Sequence, residues 1–569
     1  MVKHEFPKTI LFIHFLWAFA VLPASAQNGN ASVFFSPQNK KIRRFVKKHE
    51  LATIQFKDSA NFTEKLHQIV EKLHAESFFD AQIDSISCDS SKRNVYVACG
   101  LPYTFSVKKH NLDKKLTKKL NYRRKIENKE LSFQKIKELQ ANIIDYYSNN
   151  GFPFSSVSLN NLNYETRCIF CNLDCRKKEK IVFNSLVLKG NSQISPQFIQ
   201  NFVGIKPKML FSNQKISLIE KKITNLDFLE LIKPAELEFS GNKADVYLYL
   251  KKRKVNRLDG IIGFESSEKN GQKAEFSGEV KFLLKNTLKR GESFQIHWKK
   301  MKSASQRFAS DVNIPFLFSL PIGLDLKIDI TKKDSSWLKT RTHAGVLLYY
   351  SSLNHVKAFV EKESSSLVGK KEFSSLVGYQ STIYGQEFYF SNVVFPQNPR
   401  KGIFLKAGIG AGTKKKEEEK NKTLIEASLV FESYFNIFGD FVLQLKNRSA
   451  MLYSNSKFFE NEFLQFGGLK NMRGFDEESL LANRYTVFTT EFRYLPEESS
   501  FLFVFSDFCL YEFDGISSYI KDTPFSAGFG LSFSTNAGIF NLTYAIGKQQ
   551  NNPISVKNAK IHFGFITRF

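Results

Sequence analysis

Past Val21 the chain offers no apolar run approaching ~18 residues, which excludes a membrane-crossing helix from residue 22 onward. It also lacks a phosphate-cradling glycine loop, a GxSxG nucleophile turn and a histidine cluster at zinc-ligand spacing, so no motif points to bond-making chemistry. Acidic residues are short: 55 Asp and Glu stand against 82 Lys and Arg, a formal charge of +27. That balance suits nucleic acid or an anionic surface. No nucleic-acid motif accompanies it, however, and Lys, Asn, Phe and Ile are enriched everywhere. No nucleic-acid partner, no cofactor and no metal are expected. What is abundant is aromatic: 58 Phe and 20 Tyr, at a mean hydropathy of only −0.28.

The first residues carry an export pattern. Lys3 and Lys8 precede the apolar run Ile10–Val21, and Pro23 and Ala24-Ser25-Ala26 follow, as in a secretory signal with a small-residue cleavage site. The run is about 12 residues, short of the ~20 needed to span. Residues 1–26 are therefore expected to be a signal peptide, and no cysteine follows at which a lipid could be attached. An exported chain without spanning helices is either soluble or a closed barrel, because only helices and barrels satisfy their backbone in lipid.

Residues 27–255 alternate helical and strand periods. The clearest unit spans 181–255. IVFNSLVLKGN is a strand, and Ser195 and Pro196 mark a helix start. Ile216, Ile219, Ile223, Leu226 and Leu229 fall at helical spacing, and a hairpin turns at Gly241-Asn242. The order is β-α-α-β-β. It recurs over 103–180 and, more weakly, over 27–102, where an opening strand is hard to find. Lys40–Glu50, KKIRRFVKKHE, reads as a solvated basic leader rather than a short helix.

From 256 to 569 helical signals vanish. Strands of about ten residues alternate in face, as in a transmembrane barrel. Phe525, Ala527, Phe529, Leu531 and Phe533 share one face, with Ser526, Gly528, Gly530 and Ser532 opposite. Ile561, Phe563, Phe565 and Phe569 share another. A soluble sandwich alternates too, but lipid-facing aromatics account better for so much Phe over so long a stretch. Within this half stands FGGLKNMRGFD, residues 466–476. Counting strands back from a periplasmic end places it in an extracellular loop. Gly467, Gly468 and Gly474 allow it to fold compactly into the lumen. Arg473 then needs a carboxylate. The alternation of residues 484–495 turns Glu491 inward, and Asp507 is the one acid in an apolar strand.

FLQFGGLKNMRGF (463–475), TVFTTEFRYLP (486–496), FVFSDF (503–508), SAGFGLSFSTNAGIFNLTY (526–544) and the terminal Phe569 occur in an order that resembles the bacterial outer-membrane assembly and translocation barrels of the BamA/TamA superfamily. The tandem units resemble its POTRA domains. Met472 stands where the family usually has Val or Ile, and Cys509 where Ala is common. The resemblance implies α+β POTRA domains over 27–102, 103–180 and 181–255, followed by an all-β barrel of 16 antiparallel strands over 256–569 in a Gram-negative outer membrane. By size it is TamA-like. It implies a lumen-loop motif of Gly467, Gly468, Met472, Arg473, Gly474 and Phe475, with Glu491 and Asp507 as the arginine's partners. It implies a C-terminal assembly signal including Phe563, Phe565 and Phe569, and a weak seam between first and last strands where client strands enter. The partners implied are unfolded outer-membrane or secreted clients and outer-membrane lipid, with room for a periplasmic or inner-membrane partner on the POTRA domains. A two-partner secretion transporter and a passive porin stand as alternatives.

Six cysteines remain. Cys88 and Cys99 flank a hairpin read as turning near Arg93-Asn94, which would set them face to face, so a disulfide is expected. Cys168, Cys171 and Cys175 offer either three thiols for a metal or a disulfide with one thiol spare. The lack of a nearby histidine weighs toward the disulfide.

Overall fold

The computed structural model describes residues 29–566 except 38–39, 90–91, 266–274, 301–304, 334–335, 369–374, 394–397, 417–419, 470, 498–499, 517, 536–538 and 551–558. The expected signal peptide and Phe569 lie outside the described residues, as does the side chain of Phe565. The described chain forms two compact units, one of residues up to 181 with 211–213, the other of 182–210 and 214 onward.

The first unit holds two α+β modules. The first has a sheet of Thr53–Phe56, Gly29–Ser36, Lys92–Ala98 and Gln82–Asp89 in that spatial order, with Gly29–Ser36 parallel to Lys92–Ala98. Helix Ser59–Ala75 starts where Asp58 accepts from the Asn61 amide at 2.7 Å and buries Phe62, Leu66, Ile69 and Leu73 at helical spacing. Lys40–Glu50 is not a free leader. Lys40–His49 is helical, and Ile42 and Phe45, three apart on one face, enter the core while the charges stay outside. The second module orders its sheet as Thr104–His110, Cys168–Arg176, Ser156–Glu165 and packs helix Phe133–Ser148 on it through Ile136, Leu139, Ile143 and Tyr147.

The cysteines correct the disulfide expectations. Cys88 lies opposite Arg93 and Asp89 opposite Lys92, so the hairpin turns about three residues earlier than the sequence suggested. Cys99 falls beyond the paired strand, buried, while Cys88 is exposed, and both are free. Cys168, Cys171 and Cys175 are free as well and share one strand. At ~3.3 Å per residue, Cys171 and Cys175 stand about 13 Å apart, beyond the ~7 Å a disulfide tolerates.

The second unit begins with a third module. Its sheet runs Val182–Lys189, Lys243–Lys252, Leu229–Ser240, with Val246, Leu248 and Leu250 fully buried. Helix Pro196–Val203 is capped by Ser195, which accepts from the Phe198 amide at 3.2 Å. The single second helix expected from periodicity is two short ones, Asn213–Ser217 and Ile219–Thr224, and Leu229 already belongs to the next strand.

The rest is one antiparallel sheet of 17 strand segments from Arg257–Glu265 to Lys560–Ile566. Tyr519–Asp522 and Phe525–Ser534 both pair with Phe501–Asp514, one after the other, across Thr523-Pro524. Pro524 has no N–H for a ladder, so the two are one interrupted strand and the described residues form a barrel sheet of sixteen. Large apolar side chains such as Phe488, Phe492, Val504, Phe529, Leu542 and Phe563 face outward, while charged residues such as Asp325, Lys357, Glu363 and Lys414 are buried inside. This is the alternation of a lipid-facing barrel with a polar lumen.

The third module sits against the turns at one end of this barrel. The Ser195 amide donates to the Lys289 carbonyl at 2.8 Å, Asn201 to the Ser319 carbonyl at 3.0 Å, and Ser352 to the Phe202 carbonyl at 3.0 Å. Gly291, at φ +73°, lies where a Cβ would come within 2.1 Å of the Phe198 ring. The long connection 455–483 is at the opposite end.

Candidate functional site

The connection 455–483 joins strands Phe441–Ser454 and Arg484–Tyr494 and carries a small sheet of its own, Leu464–Phe466 with Leu480–Ala482. Apolar residues draw it inward. Phe466, Met472, Phe475, Leu480 and Ala482 cluster with Val487, Cys509 and Tyr511 of the barrel wall. Met472 and Cys509 therefore meet in one cluster. The glycines shape the path: Gly467, Gly468 and Gly474 have φ of +113°, +88° and +83°. Gly474 also presses on the wall, where a Cβ would come within 3.0 Å of backbone atoms of Ile546 and Gly547.

This fold delivers Arg473 to the two sequence-chosen acids. Its Nε donates to Asp507 Oδ2 at 2.9 Å and its Nη2 to Asp507 Oδ1 at 2.7 Å, a two-pronged pair, while Nη1 donates to Glu491 Oε2 at 2.7 Å. The Arg473 amide adds a bond to Asp507 Oδ2 at 3.1 Å. The guanidinium carbon lies 3.5 Å from the centre of the Phe505 ring, a cation–π contact. Arg473, Glu491 and Asp507 are 8%, 4% and 1% exposed.

Sequence reasoning assigned no role to the second tier. Thr489 Oγ1 donates to Asp507 Oδ1 at 2.8 Å, and Arg493 Nε donates to Glu491 Oε1 at 2.6 Å. Arg493 also donates to Gln444, which in turn donates to the Tyr434 hydroxyl at 3.1 Å. It missed a second hold as well. Asn461 Nδ2 donates to Ser365 Oγ at 2.9 Å and to the Val377 carbonyl at 2.8 Å, and Glu462 pairs with Lys414 at 2.5 Å and Lys416 at 3.8 Å. The available signal was the stretch Phe459–Phe463, FENEF, two acids and an amide held between phenylalanines.

The first and last barrel strands approach within 8 Å at their Cα atoms. Among the described residues no hydrogen-bonded ladder joins them: Arg257–Glu265 pairs only with Glu275–Lys285, and Lys560–Ile566 only with Ile539–Lys548. Ile561 and Phe563 of the last strand face outward, 70% and 66% exposed. Among the described residues no helix is long and apolar enough to cross a membrane, and no group of three or more His, Cys, Asp or Glu is arranged to hold a metal.

No family model matches the chain and no curated protein matches its sequence. Solved structures do. CdiB from Escherichia coli is 13% identical, with 89% of this chain and 98% of that one covered at a TM-score of 0.54. CdiB from Acinetobacter baumannii is 13% identical, with 93% and 98% covered at 0.50. BamA from Haemophilus ducreyi lacking POTRA domains 1–3 is 14% identical, with 82% and 100% covered at 0.45. At such identities the likeness to CdiB shows the fold alone: α+β modules followed by an antiparallel barrel.

Proposed function

We propose that this chain is an outer-membrane factor that assembles, inserts or translocates other proteins, with its N-terminal modules in the periplasm and its barrel opening at a weak lateral seam. The observation that carries the reading is that seam. Two strand edges lie side by side without a shared ladder, and unpaired edges are templates for an incoming strand. A closed pore has no use for such an edge. The modules suit the same task, because an unfolded client needs a surface before it reaches the membrane. No bond-making step is required, and the chain is read as a non-enzyme. Phe563, Phe565 and Phe569 are read as the barrel's own assembly signal, so deletion of Phe569 should impair insertion while export continues.

A second reading is a two-partner-type secretion transporter, which the likeness to CdiB favours. The two differ in where the client travels. Depletion of the chain followed by outer-membrane proteomics tests the first: broad loss of barrel proteins supports it, and loss of one exported protein supports the second. Cysteine pairs that lock Arg257–Glu265 to Lys560–Ile566 sharpen the test. Locking should stop a lateral insertase and leave passage through a lumen intact. A porin predicts neither loss.

A further inference from the structure

The second module carries a basic cleft that the assembly reading does not use. Between Lys108 and Lys129 the chain places ten Lys and Arg against two acids, Asp113 and Glu127. Asp113 does not neutralise its neighbours. It is held by Lys177 at 2.6 Å and by the Tyr147 hydroxyl at 3.2 Å. The two short helices Lys114–Lys119 and Tyr122–Lys125, joined through Asn121 at φ +49°, bury only Leu116 and Tyr122 and leave their lysines and arginines exposed. Across this bend runs a cleft of about 510 Å³ walled by His110, Lys118, Arg123 and Arg124, with Glu127 at its edge.

The cleft is ordered from below. The His110 ring lies 4.3 Å from that of buried Tyr122. The Leu112 amide donates to His110 Nδ1 at 3.2 Å, which leaves Nε2 as the ring's donor. A histidine N–H, an ammonium and two guanidinium groups line it, the donor set that phosphate takes.

We propose that this cleft binds the phosphate head groups of an anionic lipid bilayer. Charge complementarity selects an anion, and two guanidinium forks favour phosphate. A chain held by a barrel in lipid always has bilayer surface at hand, which favours lipid over an acidic protein segment. Tyr122, the one hydrophobic residue of the lining, is buried, so contact stays at head-group level without insertion. Three basic residues near such a surface should together set about a hundredfold in affinity.

The test uses the full chain reconstituted in nanodiscs of neutral phosphatidylcholine, so that the barrel is already satisfied. Separate vesicles of phosphatidylcholine, with or without phosphatidylglycerol, are then added and recruitment is read by flotation. Recruitment should need phosphatidylglycerol, weaken steeply with salt and fall about a hundredfold in the triple variant K118Q/R123Q/R124Q. A control triple of equal charge loss, K40Q/K41Q/K47Q, should change it less than about threefold. Heat-modifiable mobility and circular dichroism verify that both triples fold. Equal loss in both triples would reduce the effect to net charge and overturn the site. Undiminished recruitment of K118Q/R123Q/R124Q would overturn it too. So would saturable binding of inorganic phosphate or polyglutamate at the cleft without vesicle recruitment, which would assign it to a free anion or an acidic protein.

Discussion

Replacing Arg473 by alanine should loosen the barrel, and the structure says which acid suffers. Asp507 accepts four hydrogen bonds, two from the guanidinium, one from the Arg473 amide and one from Thr489. The variant keeps the last two and loses the charge. Glu491 loses one bond and keeps Arg493 at 2.6 Å. Asp507 is thus left as a carboxylate at 1% exposure with only neutral donors. Stranding one member of a buried pair typically costs ~3–5 kcal/mol, against about 0–1 for an exposed pair. Barrels unfold under kinetic control, so the cost should appear as a rate. At about 1.36 kcal/mol per tenfold, heat-induced loss of the compact gel form should speed up by about two to four powers of ten. R473K should recover only part, since an ammonium cannot supply two parallel N–H bonds. D507N should approach R473A, and E491Q should cost less than D507N because Arg473 then keeps its two-pronged pair with Asp507. Unfolding half-lives on semi-native gels across a temperature series would measure all four. Equal half-lives for R473A and the parent, or E491Q worse than D507N, would refute the reasoning.

Three further outcomes rest on single residues. Gly474→Ala should release the loop, since a Cβ at φ +83° meets the wall at 3.0 Å; faster cleavage within 467–480 by added protease checks this. Phe45→Ala should destabilise the first module by about 3–5 kcal/mol, as for a buried Phe, read as loss of protease resistance over residues 29–99 while barrel mobility is kept; unchanged resistance would return Lys40–His49 to the status of a leader. Thiol labelling at pH 8 should mark Cys88 quickly and leave Cys99 and Cys171 slow, because burial pushes both thiols up to about 11 and only about a thousandth is then thiolate. Fast labelling of Cys99 would contradict that.

The barrel was legible because lipid on one side and lumen on the other impose a two-residue period that no local propensity disturbs. That same alternation turned Glu491 inward, and the glycines around Arg473 marked a loop too compact to hang in solvent. What stayed hidden depended on register or on very few apolar residues. The Cys88 pairing rested on a hairpin centre, and a shift of about three residues separated the thiols. Helix Lys40–His49 has little but Ile42 and Phe45 to bury, so its charges drowned its pattern. Glu462 and Asn461 find partners more than 40 residues away in the chain, on a wall that no local spacing identifies.

Those two residues change how the loop should be understood. Arg473 ties it to the strands at 484–494 and 501–514, whereas Asn461 and Glu462 tie it to residues 365, 414 and 416 on other strands and to Val377 just before the strand at 379–391. The loop is therefore held at both ends of its path and braces separate parts of the wall. A constriction for diffusion needs only bulk, and an exposed antigenic loop needs no buried charge. Two charged holds and a set of positive-φ glycines make sense where the wall must keep its form while one seam, between strands 257–265 and 560–566, stays unladdered. On that view the loop's ion pairs restrain the barrel so that any opening is confined to the seam. Loosening either hold should then cost barrel stability before it alters the pairing of the terminal strands.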